Sequence, residues 1–122
     1  MIWALRSAFI IQALLGLGLS RAFLGMRPLG VPSGEGDMHM LVGLIAAVLA
    51  LVVIKPAPGD TLASMARFFP ILPLVFGLAI RFAGVGGAPF VLVHVLLGVA
   101  AVGLVEVSIA RQRRAASSAP TP

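Results

Sequence analysis

The chain has 122 residues, 60% of them hydrophobic and only 11% charged, with a mean hydropathy of +1.11 and a net charge of +5. A soluble domain has about 45–50% apolar and about 25% charged residues, and a chain this short cannot hide such an excess in one core, so a soluble bundle is excluded and an integral membrane protein is expected. With no cysteine, disulfides, thiolate metal sites and cysteine nucleophiles are excluded too.

The first apolar segment covers residues 2–24 and has an arginine near each end, Arg6 and Arg21. It lacks a small-x-small cleavage site and has a counterpart later in the chain, so it reads as a span rather than a cleaved signal. A Gly- and Pro-rich loop, 25–37, leads to a second span over 38–54, where Asp37 is placed to cap the start. His39 and Gly43 open this span in the stretch "HMLVG". A tight connector, "KPAPGD" at 55–60, precedes a third span over 62–83, with Asp60 or Thr61 as its cap. Pro70 and Pro73 lie inside this span and are expected to kink or loosen its first turns. "GVGGAP" at 84–89 leads to a fourth span over 89–110, which opens with "HVLLG" at 94–98 and holds one acid, Glu106. Each segment has roughly the 17–25 residues that a transmembrane helix needs. The fold expected is an all-α, four-helix, up-down membrane bundle over 1–110, followed by a basic, disordered tail, 111–122, that includes "RQRR". That tail suits an anionic lipid surface, and no basic stripe with interleaved aromatics points to nucleic acid.

Four spans put both termini on one side. Arg6, Lys55, Arg67, Arg111, Arg113 and Arg114 fall there, against Arg21, Arg27 and Arg81 on the other. The positive-inside rule then assigns both termini to the cytoplasm of a bacterial inner membrane. His39 and His94 would lie at similar depth near the outer face.

The halves of the bundle, about 1–54 and 62–110, resemble each other. "HMLVGLIAAV" aligns with "HVLLGVAAVG", and "RSAFIIQALLGLGLSRAF" with "RFFPILPLVFGLAIRFA". Apolar runs align easily by chance; the coincidences Arg6/Arg67, Arg21/Arg81 and His39/His94 do so less easily. A two-span repeat keeps its orientation, which relates the halves by an axis along the membrane normal.

The only two histidines thus occupy equivalent positions on spans two and four. Those spans are diagonal in a simple bundle, with axes about 11–14 Å apart. A histidine Cα stands about 6 Å from an iron that it ligates, so two such arms suit one haem b with two axial imidazoles. Gly43 and Gly98 lie one turn deeper on the same faces and could leave room for a porphyrin; close helix contact explains them equally well. Arg21 and Arg81 sit at histidine level, suited to haem propionates or to snorkelling toward lipid phosphate. The competing reading of the histidines is a pair of interfacial imidazoles bonded to backbone or water. Met38 and Met40 flank His39, but His94 is the better partner by symmetry. A zinc site is disfavoured, since carboxylate or thiolate companions are missing at that depth. Glu106 is about 18 Å of helix rise from His94 and is expected to pair with Arg6, Arg67 or Arg111.

Four spans with histidines at the outer ends of spans two and four resemble one half of the tandem bundle of the haem A synthase family, through "HMLVGLIAAVLAL" and "HVLLGVAAVGLVE". The resemblance implies a haem-bundle architecture through His39 and His94. It does not extend to the synthase reaction: Met40 stands where that family has an arginine, Glu35 is four before His39 where the family's glutamate is closer, and the outer-loop cysteine pair and second bundle are absent. The leading expectation is a small b-type cytochrome or haem-binding subunit of a membrane redox complex, with other subunits or quinone as partners. The alternatives are a cofactor-free structural or assembly subunit and a bacteriochlorophyll-binding subunit.

Overall fold

The computed structural model describes residues 1–23 and 35–118, and of residues 20–23 and Glu35 the backbone alone. Most of the 25–37 loop, Arg27 included, and the Arg21 side chain therefore lie outside the described residues. The chain forms α1 (Ile2–Phe23), α2 (Glu35–Val53), α3 (Thr61–Phe68), α4 (Ile71–Phe82) and α5 (Ala88–Ser117). Four stretches are long and apolar enough to cross a membrane, with α3 and α4 stacked into one span. This is a multi-pass, all-α membrane protein with a four-helix bundle.

Proline explains the break in the third span. Pro70 and Pro73 have no N–H to give to the turn before them. Phe69 N–H still closes α3 on the Met65 carbonyl at 2.8 Å, but the Phe69 carbonyl takes Leu72 N–H, three residues on, at 2.9 Å. That tightened turn joins the two helices without ending the span. Asp60 caps α3 as expected, its carboxylate accepting Ala63 N–H at 3.0 Å. The expected cap of span two is displaced: α2 begins at Glu35, so Asp37 is inside the helix and free to bond elsewhere. Gly84 (φ +66°) and Gly87 (φ +103°) form the turn between α4 and α5, in backbone conformations that a side chain disfavours.

Where a disordered tail is expected from residue 111, the described residues to Ser117 are helical, and 119–122 lie outside the described residues. α5 runs through "RQRR" to Ser117 because Arg, Gln and Ala are good helix formers. Its end is closed by the Ser117 and Ser118 hydroxyls, which donate to the Arg114 carbonyl.

α1 packs on α2 and α5, and the α3–α4 column packs on the same two helices. α2 and α5 therefore lie on one diagonal. The core sits toward the termini end: Leu5, Ala50, Ile54, Ala63, Ala66, Val105 and Ile109 are buried together. Three are alanines, which let helix backbones approach closely where packing rather than water exclusion holds helices together.

Candidate functional site at the histidine pair

His39 stands in the second turn of α2 and His94 in the second turn of α5. The diagonal arrangement brings their rings to a centroid separation of 5.9 Å, with planes at 71°. Neither ring is held in place by its own helix alone. The Cε1 edge of His39 rests on Gly16 of α1, where an added Cβ would lie 3.0 Å from it; His94 rests in the same way on Gly77 of α4, at 2.9 Å. Alanine at either seat would push its imidazole out of place.

The two seats are equivalent: Gly16 and Gly77 each lie ten residues after the arginine that opens the half, Arg6 or Arg67. Neither glycine is among the site residues expected from the sequence, which were Gly43 and Gly98. The shared Arg-to-Gly spacing was the available signal. One turn before each seat stand Gln12 and Pro73, and their backbones come within reach of His39 and His94 respectively. Even so, Nδ1 of each ring is buried without a well-formed hydrogen bond.

Gln12 breaks the symmetry. Its amide Nε2 lies 3.2 Å from His39 Nε2 and can donate to it, while its Oε1 is buried and unpartnered. Pro73, at the same register, offers no side-chain donor. The glycines expected to face a cofactor differ accordingly. At Gly43 a Cβ would lie 2.9 Å from Gln12 Nε2, so this glycine makes the notch for the amide; at Gly98 a Cβ would meet nothing within 4 Å.

Arg81 donates to Asp37 Oδ1 at 3.2 Å, linking α4 to the start of α2, and both side chains are exposed. At the termini end, Arg6 grips Glu106 with two bonds, Nε to Oε1 at 2.8 Å and a terminal nitrogen to Oε2 at 2.5 Å. Arg6 is thus the partner of Glu106 among the three expected. Arg67 occupies the register of Arg6, but its counterpart of Glu106 is Leu51, and its Nε is buried without a partner.

Fold and geometry define a multi-pass four-helix membrane protein with two imidazoles poised across its bundle axis. No family model, curated protein or solved structure matches the chain. Two imidazoles at this spacing can exchange a proton or flank one metal ion.

Proposed function

We propose that the protein is a small b-type cytochrome, or a haem-binding subunit of a membrane redox complex, with one haem b between His39 and His94. The observation that carries this reading is the 5.9 Å between the two ring centroids. An imidazole nitrogen binds a transition metal at about 2.0–2.1 Å, so two rings flanking one ion have centroids roughly 6 Å apart. Two rings that stand edge-on to one plane can be turned to each other by any angle, and 71° is compatible. The unpartnered, buried Nδ1 atoms fit the same account, since buried polar atoms ordinarily have partners.

Haem would supply a one-electron carrier held by a pair of histidine ligands. His39 and His94 would be those ligands, and Gly16 and Gly77 would orient them. Gln12 holds the His39 Nε2 lone pair, so ligation through that nitrogen needs the amide to turn aside. Arg81 reaches this level of the bundle and would meet a propionate by exchanging Asp37; Arg21 is the second candidate for that role. Open space beside Gly98 favours a broad, flat group there. The resemblance to half of the haem A synthase bundle agrees with the architecture.

With both termini in the cytoplasm of a bacterial inner membrane, the haem would lie near the outer face. One haem at one face cannot carry electrons across the bilayer, so a quinone or another redox subunit completes the path. Absorption spectra of the detergent-purified protein, oxidised and dithionite-reduced, test the proposal. Sharp reduced bands of low-spin haem b are expected. A colourless, folded preparation after haem supply would replace the reading with a structural subunit, and a far-red band would replace it with a chlorophyll protein.

A further inference from the structure

α5 has 30 residues, about 45 Å at 1.5 Å per residue, whereas the hydrocarbon core is about 30 Å thick. Its last turns therefore stand at the membrane surface on the termini side. There α5 meets the start of α1 and the end of α2, and the three frame an open notch of about 550 Å³. Ile2, Trp3, Val52 and Val53 give it apolar walls, and Lys55 and Arg113, both exposed, supply its charge. Gln112 donates to the Lys55 carbonyl at 3.4 Å, which ties α5 to the α2–α3 link.

Among the described residues, no carboxylate forms an ion pair with Lys55 or Arg113. Of the carboxylates at this end, Asp60 is engaged in capping α3. Both oxygens of Glu106 are taken by Arg6, so Glu106 adds only its longer-range field to Arg113. Trp3 is mostly exposed, with the Arg6 guanidinium 5.3 Å from its ring centre, an arrangement suited to the headgroup level of a bilayer.

We propose that this notch binds one anionic phospholipid, its phosphate on Lys55 and Arg113 and its glycerol and upper acyl carbons against Ile2, Val52 and Val53. Basic pockets between transmembrane helices recognise such headgroups. A free phosphate would use the two cations and leave the apolar walls bare, so the combination selects a lipid.

Native mass spectrometry of the full chain, titrated with phosphatidylglycerol or with phosphatidylcholine of the same acyl chains, tests this. One phosphatidylglycerol should bind well ahead of any further lipid and well ahead of phosphatidylcholine. Each cation near an anionic headgroup strengthens binding roughly fivefold, so Lys55→Gln with Arg113→Gln should weaken that first step about 25-fold. Arg111→Gln with Arg114→Gln removes the same charge from the same helix end outside the notch and should weaken it far less. Equal loss from both pairs would mean a diffuse basic surface and overturn the site. So would equal binding of the two lipids, or displacement of phosphatidylglycerol by millimolar inorganic phosphate. Lys55→Arg with Arg113→Lys should retain binding; its failure in a preparation of unchanged helicity would also overturn the assignment. The histidine pair plays no part in these outcomes.

Discussion

The two ends of the bundle are built on opposite principles. At the termini end, Leu5, Ile54, Val105 and Ile109 close on small alanines, and Glu106 is bonded twice to Arg6. At the histidine end, glycines stand where a core would have side chains, two imidazoles face each other, and three buried polar atoms, Nδ1 of both rings and Oε1 of Gln12, lack partners, against two at the termini end, Arg67 Nε and Ser108 Oγ. Polar groups are costly at membrane depth and are kept for function. The contrast separates the end whose axis is packed with apolar side chains from the end whose axis carries two imidazoles.

Mutations that act on one end only should break that contrast if it is wrong. The largest effect is expected from His39→Ala or His94→Ala: each should abolish the low-spin spectrum, because a six-coordinate bis-imidazole iron needs both ligands, while detergent melting of the apoprotein changes little. An unchanged spectrum in both variants would dismiss the ligand assignment. Gly16→Ala and Gly77→Ala come next. Each Cβ would press the Cε1 edge of its imidazole, and disturbing the support of a metal ligand costs about 10–100-fold in affinity. Haem titration should show this loss for both seats and none for Gly103→Ala, which enters open space nine residues below His94. Equal effects at all three glycines would make the seats ordinary packing positions.

At the other end, Ile54→Ala should lower stability toward the bottom of the roughly 2–5 kcal/mol range seen when a core Leu or Ile is cut to Ala, since lipid rather than water is the reference here. Melting should report it and the reduced spectrum should not move. The smallest effect is expected from Gln12→Leu. It frees the His39 Nε2 lone pair from one neutral hydrogen bond, and haem affinity should rise about 2–10-fold, the range implied by the net worth of such a bond. A fall in affinity would mean that Gln12 instead steadies the ring for ligation through Nδ1.

The spans are legible in the sequence because length, apolarity and Gly/Pro connectors all mark the same four segments. The diagonal meeting of His39 and His94 is legible for a different reason: the two stand at matching places in two similar stretches of sequence, on helices that lie on one diagonal of the bundle. Gly43 shows the limit of that reasoning. It matches Gly98 by register, yet it serves Gln12, because a one-residue difference between the halves, Gln12 against Pro73, changes what lies opposite. Gly16 and Gly77 escape notice because glycine has many uses in membrane helices, and only the contact with a ring picks these two out. The helical end of α5 is missed because charge density reads as disorder, whereas Arg, Gln and Ala continue a helix that already exists.

The seat and the ring it supports always belong to the same hairpin: Gly16 and His39 to the first, Gly77 and His94 to the second. Each hairpin is thus a finished half-socket, and nothing is complete until two meet. A group bridging the 5.9 Å between the rings would act as a rivet whose presence certifies that both halves have docked in register. Two separately expressed hairpins should then find each other more readily when haem is supplied, making cofactor loading and assembly the same event.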